Sequence, residues 1–225
     1  MKPRVSNKRS AALTLVEVMV VILVLAVIVA IMMPALSAAR RKNLNINCQN
    51  NLNEIGQAFG TWQADHNGKF PMQVSVASGG AMEMVATGNV AACFQLISSR
   101  LTSPKVLICP TENNQRTAMN FSSAFNNSNI SYFVGFDANT NCPESFLCGD
   151  DNFSVNSVSI KSGMLELSTN MAANYYELPV DWTEARHNKT GNIGFEDGSV
   201  RETYFYSLRD YLFQTGFATN RLAIP

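Results

Sequence analysis

From Val18 to Met33 the chain runs through sixteen apolar residues without a break, and counting from Leu13 it runs 21 residues with only Thr14 and Glu17 polar. As a helix, rising 1.5 Å per residue, that is roughly 30 Å, the thickness of a bilayer's hydrocarbon core. A run this long and apolar on every face demands apolar surroundings all round. It must be a membrane span or a helix packed among other apolar helices. Glu17 near its start is the exception. A carboxylate in lipid costs a few kcal/mol even on the lenient insertion scales and by default marks function, so the chain must supply it a partner.

The chain has 225 residues, a length that suits one domain plus a special segment. Its 46% apolar content is enough for a sizeable core, while only 15% of residues are charged. The 17 basic and 17 acidic residues cancel, but not evenly. Lys2, Arg4, Lys8 and Arg9 fall in the first twelve residues with no acid among them, which leaves the remainder at −4. An acidic remainder with no basic patch argues against a nucleic-acid partner. A basic leader ahead of an apolar run predicts a cytoplasmic N-terminus and a head outside the cytoplasm.

Past Pro34 the pattern changes but stays helical. Pro34 lacks an N–H, so it either kinks the helix or marks the membrane exit. Cys48, Leu52, Ile55, Phe59 and Trp62 then recur at spacings of four and three, one apolar stripe on an amphipathic helix. The other faces carry Asn43, Asn45, Asn47, Asn50, Asn51 and Asn53, read as a solvated surface. "DHNGKFP" (65–71) is a turn signal that ends the helix, with His66 solvated in the turn. An unbroken helix from Leu13 to His66 would be about 80 Å long.

The remaining residues read as short strands and turns. Ile130–Asp137 is strand-like, with weaker candidates at Ser145–Cys148 and Ser154–Ile160. Gly191–Phe195 and Val200–Tyr206 flank Asp197-Gly198, a hairpin turn. Met82–Leu101, interrupted by Gly88, and Leu208–Phe213 are expected helices. The fold class is α+β: a long N-terminal helix, membrane half plus amphipathic half, packed on a small antiparallel β-sheet head. The division is 1–12 leader, 13–66 helix with its membrane part at 13–34, and 67–225 head.

The five cysteines are Cys48, Cys93, Cys109, Cys142 and Cys148. None forms a Cys-x-x-Cys pair and the two histidines are far apart, which speaks against a structural zinc site. Outside the cytoplasm disulfides form readily. Cys142 with Cys148 is the first candidate pair and Cys48 with Cys109 the second, with five free thiols as the other alternative. No nucleophile elbow, zinc-protease or phosphate-loop motif is present, so no catalytic residue is assigned. A Cys109–His187 nucleophile pair has no local sequence support, and Asp197 is explained by its hairpin.

The basic leader, the small pair Ala11-Ala12 and Leu13-Thr14-Leu15-Val16-Glu17 together resemble the signal of type IV pilins and type II secretion pseudopilins. In that family a prepilin peptidase cuts before the apolar segment, which is kept as the mature N-terminus and methylated on its new amine. The resemblance implies cleavage between Ala12 and Leu13, with Glu17 fifth and Pro34 twenty-second in the mature chain, the family's positions for glutamate and proline. The family has glycine before the cut and Phe or Met after it. Ala12 is the closest substitute in size, so cleavage is expected there. Glu17 of one subunit would neutralise the Leu13 amine of its neighbour and set register in a helical filament. "CQNNLNEIGQAFGTWQADHNGKFPM" (48–72), "LICP", "ISYFVGFD", "CGDDN" and "TNRLAIP" also resemble planctomycete and verrucomicrobial pseudopilin-like proteins. So does "HNKTGNIGFEDG", in which nine residues separate His187 from Asp197-Gly198, the spacing of that group's H-X9-DG motif. Relatives of this kind hold Ca²⁺ in a head loop, for which Asp150, Asp151 and Asn152 offer hard oxygen ligands. No metal ligand or cofactor is assigned on that basis.

These readings converge on a structural subunit of a type IV pilus-like or type II secretion filament. It would sit in the inner membrane as a single-pass protein before assembly, then in a periplasmic or cell-surface fibre. The implied partners are identical or related subunits, prepilin peptidase and an inner-membrane assembly platform. The alternatives are a membrane-anchored binding module that never polymerises and a secreted enzyme.

Overall fold

The computed structural model describes residues 14–112, 117–122, 124–169 and 178–225. Helix α1 (Leu15–Asp65) is unbroken over 51 residues, about 76 Å at 1.5 Å per residue. It begins two residues later than expected because Thr14 caps it. The Thr14 hydroxyl oxygen accepts the Glu17 N–H at 3.3 Å, while the Thr14 N–H and hydroxyl each donate to Glu17 Oε2 at 2.8 Å. This is a reciprocal capping box of the Thr-x-x-Glu type.

The chain divides into two compact units, one ending at Asn43 and one spanning Leu44–Pro225. The division by element places the end of the helix at residue 66; by contacts, the head begins 21 residues before Asp65 closes α1, inside the helix. In the first unit the large apolar side chains from Leu15 to Leu36 are between 45 and 75% exposed. α1 is also long and apolar enough to cross a membrane. Pro34 sits within the helix without ending it, and the Ser37 hydroxyl donates to the Pro34 carbonyl at 2.9 Å.

In the second unit the apolar stripe is buried as its spacing predicts. Cys48, Leu52, Ile55, Ala58, Phe59 and Trp62 enter one hydrophobic core with Phe94, Ile97, Leu107, Tyr132 and Leu147. Each large side chain there contributes roughly 1.5–3 kcal/mol relative to exposure. Phe59 packs edge-on to Phe70 with ring centroids 6.4 Å apart. His66, expected in solvent, stacks on Trp62 at 3.5 Å, and its Nδ1 lies 2.7 Å from the Trp62 carbonyl. The helix end offers both a bare indole face and an orphan carbonyl, and the imidazole uses the two together. The asparagine face is not wholly solvated either. Asn51 donates to the Ile108 carbonyl, and Asn45 accepts from Asn192.

The helix called for at Met82–Leu101 is divided into α2 (Met82–Ala86) and α3 (Val90–Leu96), with Gly88 at φ +85° between them. Strands β1 (Tyr132–Gly135) and β2 (Phe146–Asp150) follow. The single strand expected at Ser154–Ile160 is a hairpin of β3 (Phe153–Val155) and β4 (Val158–Ser159), turned at Asn156 and Ser157, both at positive φ. Next come β5 (Gly163–Ser168), β6 (Val180–Trp182), β7 (Gly191–Phe195) and β8 (Val200–Thr203). Helix α4 (Phe205–Gln214) and β9 (Thr219–Ile224) close the chain. The β7–β8 turn is at Asp197-Gly198, with Asp197 accepting the Ser199 N–H at 2.8 Å.

Among the described residues these strands form an antiparallel six-stranded sheet in the order β5-β9-β1-β2-β7-β8, and a three-stranded sheet β4-β3-β6. The larger sheet has two buried faces. Tyr132 and Val134 face α1, while Phe133, Ile193 and Leu222 face a second core with Trp182, Leu208 and Leu212. A bulge in β2 changes the alternation. Phe146 pairs with Phe195 but Cys148 with Gly194, so two steps on β2 match one on β7. Phe146 therefore faces the second core, whereas Leu147 and Cys148 both face α1. The shifted parity brings Asp150 to the α1 face as well, opposite Tyr132 in register.

Candidate functional site

Two sets of residues carry chemistry. The first is the N-terminal signal. Ala12 and Leu13, with the rest of the leader, lie outside the described residues. Glu17 finds a partner in its own chain, Thr14, and both of those donors fall on one carboxylate oxygen. The Thr-x-x-Glu spacing carries that signal in the sequence.

The second set is in the head; the sequence offers Cys48 with Cys109 and Cys109 with His187 only as separate pairs, not as one four-residue cluster. Cys48 on α1, Cys109 after the turn at Pro104–Leu107, Asp150 at the end of β2 and His187 in the β6–β7 loop bring four donor atoms within 4.8 Å of one another. Cys109 Sγ is 3.1 Å from His187 Nε2. Cys48 Sγ is 3.4 Å from Asp150 Oδ1, and His187 Nε2 is 3.4 Å from Asp150 Oδ2. Cys48, Cys109 and Asp150 are fully buried, and the His187 side chain is 2% exposed.

The supports are equally specific. Asp150 Oδ2 accepts the Asn192 N–H at 2.8 Å and its Nδ2 at 3.0 Å. The Tyr132 hydroxyl is 3.3 Å from Cys48 Sγ, and the Thr111 hydroxyl is 3.0 Å from Cys109 Sγ. A Cβ at Gly149 would lie 2.6 Å from the Phe133 ring and 2.7 Å from the Asn192 carbonyl, so only glycine allows β2 this close approach. His187, Asn188 and Lys189 all have positive φ. Left-handed backbone costs about 1–2 kcal/mol for a residue with a Cβ, and such strain clusters at functional sites. Three side chains hold the loop in it. Asn152 Nδ2 donates to the carbonyls of Thr183, Arg186 and Thr190. Thr190 Oγ1 donates to the His187 carbonyl. The buried Arg186 donates to the Ser131 carbonyl at 2.8 Å and pairs with Glu112 and Asp151.

The electrostatics follow from crowding these groups in a dry core. Cys109 is held well below the usual thiol range by the hydrogen bond from Cys48, then by His187 and the Thr111 hydroxyl, against its burial. Cys48 is pushed up by burial, by its bond to Cys109 and by the Asp150 charge. Burial and the Cys109 charge raise Asp150 to about 6, while His187, Arg186 and the Asn192 N–H oppose the rise. His187 is raised in spite of burial, by the Cys109 hydrogen bond and the charges of Asp150 and Cys109. These shifts favour the charged forms of Cys109 and His187 and the neutral thiol of Cys48. A thiolate–imidazolium pair is a nucleophile in principle, but here both members lie beneath the surface, with no face to present to a substrate.

The cysteine expectations fare differently from one another. All five are free thiols in the structure. Cys142 donates to the Thr215 carbonyl at 3.3 Å, whereas Cys148 is buried in β2 with its Sγ toward Gly194, so this pair is not joined. Cys48 and Cys109 do meet, as members of the four-residue cluster. The oxygen ligands suggested for calcium do not converge. Asp150 turns to the thiols, Asp151 to Arg186 and the Asn152 amide to three carbonyls. The four donors come from four separate segments, so no Cys-x-x-Cys spacing marks them in the sequence.

Residues 7–33 match the prokaryotic N-terminal methylation motif, the signal of type IV pilin and pseudopilin precursors. Comparison with curated proteins and with solved structures finds no match.

Proposed function

We propose that this chain is a structural subunit, a pilin or pseudopilin, of a type IV pilus-like or type II secretion filament. Prepilin peptidase would cut it between Ala12 and Leu13, and it would polymerise through its apolar helix. The methylation motif at 7–33 carries this reading. The exposed apolar helix supports it, because side chains 45–75% exposed from Leu15 to Leu36 need lipid before assembly and neighbouring helices after it. Glu17 supports it too. Thr14 occupies Oε2 of its carboxylate, and Oε1 accepts no bond among the described residues, which suits a neighbour's Leu13 amine. A buried carboxylate so paired would set axial register.

One observation favours a second reading, a membrane-tethered head that never polymerises. The Thr14 cap already satisfies Glu17 in part, so the residue does not strictly require a neighbour. Intact mass and N-terminal sequencing of the protein from sheared surface filaments and from membranes separate the two. A chain beginning at methylated Leu13 in the sheared fraction is the expected result. An unprocessed chain confined to membranes would leave the tether, and cleavage after the apolar run would refute both.

A further inference from the structure

We propose that Cys48, Cys109, Asp150 and His187 form a closed, structural Zn²⁺ site in the head. Tetrahedral zinc with bonds of about 2.3 Å to sulfur and 2.0–2.2 Å to nitrogen or oxygen sets its ligand atoms roughly 3.3–3.8 Å apart. With Asp150 Oδ2 as the ligand atom, His187 Nε2 lies 3.4 Å from it and Cys48 Sγ 3.7 Å, edges of such a tetrahedron, and the Cys109–His187 contact at 3.1 Å is slightly shorter; four donor atoms, one from each residue, lie within 4.8 Å of one another. Two thiolates, an imidazole and a carboxylate suit zinc. They do not suit calcium or magnesium, which take oxygen.

The surroundings resemble those that orient metal ligands. Asn192 orients the Asp150 carboxylate through Oδ2, the Tyr132 hydroxyl lies against Cys48, and the Thr111 hydroxyl lies against Cys109. Zinc requires both cysteines as thiolates and a neutral imidazole, so binding is coupled to proton release. Two thiolates, one carboxylate and the dication sum to −1, beside the buried Arg186 cation in the same loop as His187. Four protein ligands leave no open position, which makes the role structural. The ion ties the head half of α1 to the Cys109 loop, to β2 and to the strained 187–189 turn. The site is independent of whether the chain polymerises.

The test uses the full-length chain in detergent, reduced, stripped with a chelator and titrated with Co²⁺ as an optical probe. The expected result is one equivalent bound, with visible bands of tetrahedral Co²⁺, a near-ultraviolet thiolate charge-transfer band, and loss of both on adding Zn²⁺. Cys109→Ser and His187→Ala should weaken binding at least 100-fold, whereas Cys142→Ser, outside the cluster, should bind as before. If the ligand variants fail to fold, the wild-type spectrum still decides. A flat wild-type titration, an octahedral spectrum without charge transfer, or a Cys48–Cys109 disulfide in the protein as isolated, read by intact mass after alkylation, would each overturn the proposal.

Discussion

The two halves of α1 are one helix by hydrogen bonding and two different solutions to the same problem. From Leu15 to Leu36 the apolar residues go all the way round and stay exposed. From Cys48 to Trp62 they occupy one stripe and are buried in the head. The first half leaves its apolar surface for something outside the chain to cover, whereas the second finds cover within the fold. The carboxylate on the first half and the one packed against the second differ in the same way. Glu17 is answered by its own helix cap. Asp150 is answered by residues from α1, the β6–β7 loop and β7. A helix that completes its own core contributes to a stable head, and one that cannot is suited to assembly.

The contrast can be broken most severely at Glu17. Glu17→Leu should remove the protein from sheared filaments almost entirely while leaving membrane insertion intact, as a quantitative immunoblot of the two fractions would show. Unchanged incorporation would mean that the outer half of the helix assembles without register from this carboxylate. On the buried half, Phe59→Ala should cost the head about 3–5 kcal/mol, read as a lower denaturant midpoint with unaltered membrane insertion. Chelation of the purified chain should be comparable. A ligand present at 1,000 times its Kd adds about 4 kcal/mol, and at about 2–4 °C per kcal/mol for a domain of this size the head's Tm should fall by about 10 °C and recover on adding Zn²⁺. The smallest effect belongs to the cap. Thr14→Ala should cost about 1 kcal/mol, confined to faster amide hydrogen exchange in the first turn of α1, with the head's Tm unmoved.

Much of the fold was legible because it rests on periodicity. The 3.6-residue stripe from Cys48 to Trp62 and the Asp197-Gly198 hairpin are local patterns, and β7 has the predicted bounds. The elements missed are β5, β6 and β9. β9 lies between β5 and β1, and its partners are far away in sequence, so a strand at the chain's end reads as a polar tail until they are known. The hairpin at Asn156-Ser157 was missed because neither residue is glycine, although asparagine tolerates the left-handed conformation.

The sequence by itself determined that the chain has a helix-forming apolar segment with one carboxylate, an amphipathic continuation and an antiparallel head. It also carried the methylation motif at 7–33. Each of these depends on residues within a few positions of one another, where propensity, spacing and charge act directly. Only the tertiary structure decided that Cys48, Cys109, Asp150 and His187 meet. Their meeting depends on a bulge in β2 that turns Asp150 toward α1, on a glycine that lets two strands close up, and on a left-handed turn clamped by Asn152 and Arg186. Those are long-range contacts between segments that the chain order keeps apart, and no local pattern encodes the distance between them.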